Sequence, residues 1–146
     1  MSMMNGLNIS ASGMTAQRLR LDIISQNIAN VKTTRDENGD VYTRKEVVFS
    51  VKNSNPASFS EVLSNAGTAG NGVKVTQIVN DTESEYSKVY DPSHPDADED
   101  GYVTYPNVNI VQEMTDMIDA SRSYEANVTA FNATKNMALK ALDIGK

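Results

Sequence analysis

The stretch IVQEMTDMIDASRSYEANVTAFNATKNMALKAL, residues 110–142, carries the reading of the fold. Ile110, Met114, Met117, Ser121, Tyr124, Val128, Phe131, Lys135, Ala138 and Leu142 follow one another at unbroken steps of four and three. Eight of these ten are apolar, so the stripe is a narrow heptad seam rather than the broad apolar face of a globular helix. Pro106 sets the upstream limit, because it lacks an N–H and biases Tyr105 toward extended structure. Gly145 fits a C-terminal stop. The spacing predicts a helix over residues 108–143, roughly 50 Å long at 1.5 Å per residue.

The other end of the chain repeats the pattern. Leu7, Met14, Leu21 and Ile28 form one row, Ser10, Gln17, Ile24 and Val31 a second, and Ala11 widens the stripe. This predicts a helix over residues 6–31, in which Gly13 costs roughly 1 kcal/mol relative to Ala. The helix ends in SQNIANVKTT, residues 25–34. Asparagine is a poor helix former, since its amide competes for nearby backbone groups. The pair Asn27 and Asn30 therefore needs a reason.

Between the helices the pattern turns to strand and loop. Residues 36–40 hold a turn signal, Asn38-Gly39. Residues 41–52 are rich in β-branched side chains and read as a strand; residues 72–81 and 85–91 read as two more. Residues 53–72 read as loop, with a helical turn at 59–63, and residues 101–105 as a short extended piece. The organisation expected is α+β: an N-terminal helical unit (1–35), a small β and loop region (36–105) and a C-terminal helical unit (106–146). Neither narrow stripe is stable without a partner, so the helices are expected to pair as a coiled-coil-like hairpin. Their remaining faces carry Asn, Ser, Thr, Ala and Gln, which suit close packing against further neighbours. The alternative is a soluble hairpin with a weakly charged surface.

Composition excludes several classes of function. Of 146 residues 39% are hydrophobic, with no Trp and three Phe, which leaves little for a large autonomous core. The absence of Cys removes disulfides, thiolate metal sites and a Cys nucleophile. No run approaches the ~18 apolar residues of a membrane span. The start MSMMNGLNIS does not read as a cleavable signal peptide. Net charge is −6, and residues 81–101 alone carry −7, eight acidic side chains against Lys88. The nearly neutral remainder is a poor match for nucleic acid or for anionic lipid. His94, the only histidine, stands in the acidic loop and reads as solvated; it offers neither a triad nor a zinc site. No enzyme activity and no cofactor are expected.

One motif suggests a ligand. Asp96, Asp98 and Asp100, with Gly101 following, match the opening of an EF-hand calcium loop. Its twelfth position is Asn107 rather than the bidentate Glu that closes such a site, and Pro92 and Pro95 stand where a helix belongs. A calcium-responsive binding module using these three aspartates is the alternative function; the competing view is a solvated acidic turn that aids solubility.

The two ends together resemble the flagellar rod, hook and hook-associated axial proteins. Their N-terminal heptad segment ends in N-x-A-N-x-x-T, which stands here as Asn27-Ile-Ala-Asn30-Val-Lys-Thr33. The segments GMTAQRLRLDIISQNIANVKTT, DENGDVYTRKEVVF and DPSHPDADEDGYVTYPNVNIVQEMTDMIDASRSYEANVTAFNATKNMALKAL bring the likeness closest to the proximal-rod proteins of the basal body. The run Tyr42-Thr-Arg44-Lys45 departs mildly from their pattern. The resemblance implies a non-enzymatic subunit that polymerises helically with copies of itself and with other rod proteins. It implies export by the flagellar type III apparatus without a cleaved signal, a place in the periplasm-spanning rod, and a role in passing torque from motor to hook. The assembly contacts expected are Leu7, Met14, Leu21, Ile24, Asn27, Ile28, Asn30 and Val31 on one helix. On the other they are Ile110, Met114, Met117, Tyr124, Val128, Phe131 and Leu142. In such a tube Asn27 and Asn30 face neighbouring chains and fix register, or turn the helix end, with Asn30 a simple cap. On the first view Asn27→Leu leaves helix content intact and impairs assembly.

Overall fold

The computed structural model describes residues 3–35, 39–52 and 72–144. The fold is α+β, with α1 (Met3–Ala29), β1 (Lys45–Val51), β2 (Val73–Asn80), β3 (Ser87–Tyr90), β4 (Tyr102–Tyr105) and α2 (Ile110–Ile144) in chain order. The elements fall within a few residues of the spans read from the sequence. The expected loop over 53–71, its helical turn at 59–63 and Asn38 of the expected turn lie outside the described residues. Helix α2 begins later than Pro106 suggests because Asn109 caps it. The Asn109 Oδ1 accepts the backbone N–H groups of Val111 and Gln112 at 3.0 and 3.3 Å, two donors a helix start otherwise leaves unpaired.

Helices α1 and α2 pack antiparallel, and their register is visible in three contacts. A Cβ on Gly6 would lie 3.6 Å from Thr134 Cγ2, and one on Gly13 2.7 Å from Asn127 Oδ1. Asn27 bonds Glu113. Each step of seven or fourteen along α1 is matched by the same step backwards along α2. Two glycines on the row remove side-chain bulk, so the helices approach closely and short polar groups fill the seam.

This corrects the expected seam. Met117, Tyr124, Phe131 and Ala138 are half-buried, but Ile110, Met114 and Leu142 are exposed, the last two by 55% and 69%. The row that closes on α1 is instead Glu113, Asn127 and Thr134, and Ala120, fully buried, stands on the same heptad row. On α1, Ser10, Ala16, Ile23, Ile24 and Asn27 are buried, while Leu7, Met14, Leu21 and Ile28, with Val31 just past its end, are half-buried. The small polar faces read as surfaces for neighbouring chains thus partly serve the chain's own hairpin.

Gly13 gains a purpose from this geometry. Gly13→Ala adds about 1 kcal/mol of helix propensity, yet it drives a methyl into Asn127, whose Nδ2 is held by the Ser123 carbonyl at 2.8 Å. We expect a net loss of about 1–2 kcal/mol, typical of overpacking, and recovery in Gly13→Ala/Asn127→Ala. Urea unfolding of the two variants tests this; a single variant more stable than wild type would show that the helices do not approach so closely.

The strands form two antiparallel ribbons. β1 pairs with β2 from Lys45↔Asn80 to Val51↔Val73, with a bulge between Val48 and Phe49. This ribbon rests on α1, where the Val73 N–H donates to Ser12 Oγ at 3.0 Å. Gly72, with φ +91°, passes so close that a Cβ would fall 2.3 Å from that hydroxyl. β3 pairs with β4 from Ser87↔Tyr105 to Tyr90↔Tyr102. Val103 of β4 is fully buried, and the Tyr90 and Tyr102 rings meet edge to face at 5.3 Å.

Candidate functional site

The end of α1, the start of α2 and the entry to β1 meet at a polar junction rather than an apolar one. Asn27, 1% exposed, uses its whole hydrogen-bonding capacity there. Its Nδ2 donates to the Lys45 carbonyl (2.9 Å) and to Glu113 Oε2 (3.0 Å). Its Oδ1 accepts the Lys45 N–H (3.0 Å) and the Tyr42 hydroxyl (2.9 Å). The amide thus pairs with the Lys45 backbone as one rung of a β ladder would, and that backbone fixes which way the amide points. Asn30 has the other role foreseen for it, that of a cap. Its Nδ2 donates to the Gln26 carbonyl at 2.8 Å, and its Oδ1 accepts Thr33 Oγ1 at 3.2 Å.

Glu113, in the first turn of α2 and 1% exposed, is neutralised by Arg44, whose Nε donates to Oε1 at 2.6 Å. The guanidinium also pairs with Glu46 and lies 3.6 Å from Asp81 and 3.9 Å from Asp116. Asp116 in turn takes Arg20 of α1 at 3.2 Å. Burial works against the charge on Arg44, but Glu113 and Glu46 outweigh it and hold the group above its ordinary pKa. Burial, then the Glu113 charge, raises the Tyr42 phenol, so Tyr42 stays the donor that Asn27 requires. Asn107 ties the same region together: its Oδ1 accepts the Arg44 N–H (2.9 Å) and its Nδ2 donates to the Asp81 carbonyl (2.8 Å).

Asp81 opens the connection after β2. Its carboxylate accepts Ser84 Oγ at 2.7 Å and the amides of Ser84 and Glu83 at 3.1 Å. The Ser84 hydroxyl and amide lead in holding its pKa below the ordinary aspartate value, with the Arg44 charge a smaller aid. A lowered carboxylate stabilises the fold fully above the unfolded value and loses that contribution as pH falls through the folded one. The wild-type chain should therefore lose stability below about pH 4, and Asp81→Asn should flatten this limb in unfolding curves taken from pH 6 to 2. An acid limb of unchanged depth would remove Asp81 from the account.

The acidic loop ties down the chain after α1. Asp96 accepts Thr34 Oγ1 at 2.7 Å, and its other oxygen lies 2.9 Å from Arg35 Nε, so the loop straps the segment after α1. His94, read as solvated, is half-buried, and its Nδ1 accepts the Asp96 N–H at 3.1 Å. Among the described residues no three His, Cys, Asp or Glu side chains are grouped to hold a metal, and no helix is long and apolar enough to cross a membrane.

Large apolar side chains stay exposed at both ends of α2. Ile110, Val111, Met114 and Ile118 near its start and Met137, Leu139, Leu142 and Ile144 near its end are exposed. Sequence reading found part of this exposed set; of the polar junction it found Asn27 and missed Arg20, Tyr42, Arg44, Asn107, Glu113 and Asp116. The signal for Glu113 was present: it begins the row of small and polar residues, spaced by seven, beside the apolar seam.

Comparison with known proteins agrees with this architecture. Residues 7–35 match the family described as flagella basal body rod protein, and residues 99–144 match the flagellar basal body rod FlgEFG protein C-terminal family. The flagellar basal-body rod protein FlgC of Bacillus subtilis is 51% identical over the whole of both chains. FlgC of Borreliella burgdorferi is 45% identical over 99% of this chain and 98% of its own, and that of Escherichia coli O157:H7 is 39% identical over both full lengths. This chain belongs to the flagellar basal-body rod proteins of the FlgC type.

Proposed function

We propose that the chain is a structural, non-enzymatic subunit of the flagellar rod that assembles with other rod proteins through its paired helices. Family membership supports the rod subunit, and one observation carries the mode of assembly: a 35-residue helix whose apolar side chains at both ends face solvent in the single chain. Scattered apolar exposure is ordinary, but rows of it on one long helix mark an interaction surface. The polar junction fixes the hairpin; the outer rows of α2, with Ile110, Met114 and Leu142, meet neighbouring subunits. In this reading the copies repeat helically in the proximal part of the periplasm-spanning rod, after type III export without signal cleavage, and torque crosses many such helix contacts. Residues 1–35 and 106–146 act together as the axial unit, and 36–105 as its outer attachment.

Hook–basal bodies purified from the cell that makes this chain, then stripped of hook and filament, test the placement by mass spectrometry. The chain should remain in the stripped rods. Complete rods that lack it would overturn the reading.

A further inference from the structure

We propose that Arg44 and Glu113 form a strut that sets the angle between the β1–β2 ribbon and helix α2, and that rod assembly requires this angle more than folding requires the ion pair. The consequence for assembly rests on the rod reading above; the strut itself does not.

The ribbon is held unevenly. It rests on α1, but among the described residues no Cα of β1 or β2 comes within 8 Å of α2. A cavity of about 380 Å³ opens where they meet α1, lined by Ile23 and Ile24 of α1, Val47 and Phe49 of β1 and Gln112, Glu113 and Asp116 of α2. Arg44, just ahead of β1, spans that gap to Glu113 at 2.6 Å. The same guanidinium approaches Asp81 beyond β2 at 3.6 Å, so one planar group ties both strands to the helix. Val48, Val51, Ile78 and Val79 of the ribbon stay exposed, so its apolar packing is against α1 and does not by itself reach α2. A planar guanidinium is directional in a way that apolar contact is not. Burying such a pair is seldom a net gain in stability over apolar or neutral groups, which leaves orientation as its use. A helical assembly repeats any error of angle at every subunit.

The test uses the full chain carrying Arg44→Met/Glu113→Gln. Gln keeps an oxygen for Asn27, and the cavity admits water to its amide. The variant should melt within about 5 °C of the parent. Since the chain lacks cysteine, spin labels on Lys74→Cys and Glu125→Cys report the ribbon–helix distance by pulsed electron resonance. The parent should give one narrow distribution and the double variant a broad one. Arg44→Lys, which keeps the charge and loses the fork, should broaden it partly and serves should the double variant not fold. A distribution as narrow as the parent's, in the double variant or in Arg44→Lys, would overturn the strut. In cells the double variant should yield few rods where the parent chain yields normal numbers. Normal rods from the double variant would overturn the requirement in assembly, and the parent's own rods would leave the rod reading intact.

Discussion

Asn27→Leu should cost the fold about 4 kcal/mol. Leucine matches the branched shape, is bulkier, and supplies none of the four hydrogen bonds that Asn27 makes. The N–H and carbonyl of Lys45 and one oxygen of Glu113 lose their partner behind the leucine side chain, at about 1–3 kcal/mol for each unpaired group. Tyr42 escapes part of the loss by turning outward. Against a total stability of about 5–15 kcal/mol, the variant should be largely unfolded at moderate urea. Asn27→Ala should lose less, about 2–3 kcal/mol, since the vacated space admits water to the same groups. Urea titration monitored by circular dichroism gives both values, and a leucine variant as stable as wild type would contradict the junction. The sequence suggested another result, intact helices and failed assembly, because the residue was placed against neighbouring chains. Its burial at 1% moves the effect into the single chain.

Met114→Asp/Leu142→Asp should leave the monomer folded and abolish rod formation. Both side chains are more than half exposed, so a change to Asp costs the isolated fold about 0.5 kcal/mol or less. On the proposed mode of assembly the same positions lie between apolar helices, where each unpaired buried charge would cost several kcal/mol. Repeated over many subunits, this prevents growth. Cells carrying the variant should be non-motile, with the chain at normal abundance and no rods in electron micrographs. Swimming at wild-type speed would remove these positions from the contact between subunits.

The helices were legible because their heptads are long and unbroken, and the strands because β-branched runs stand between turn residues. The pairing of the two helices was legible too, since neither stripe can stand alone. The face was not. Hydrophobicity put Ile110, Met114 and Leu142 on one seam with Met117 and Tyr124, whereas within the chain Gly6 and Gly13 select the polar row of Glu113, Asn127 and Thr134 by permitting a closer approach. A periodic pattern reveals a buried stripe without saying whether the same chain or another one buries it. The junction was hidden for a different reason. Arg44 and Glu113 are 69 residues apart, and no local pattern announces that a charged pair will be enclosed. The motif ending at Thr33 was visible as a motif, but its logic appears only in three dimensions: Asn27 pins, Asn30 caps, Thr33 locks the cap, and Thr34 just beyond it holds the acidic loop.

A photoreactive amino acid placed singly at positions 114, 142, 120 and 134, and irradiated within purified basal bodies, divides inner from outer faces most directly. The replacements of Met114 and Leu142 should capture a neighbouring rod subunit, whereas those of Ala120 and Thr134 should react only within their own chain. Capture of neighbours from positions 120 and 134, with none from 114 and 142, would mean that the hairpin opens on assembly and that the outer rows of α2 are not the contact.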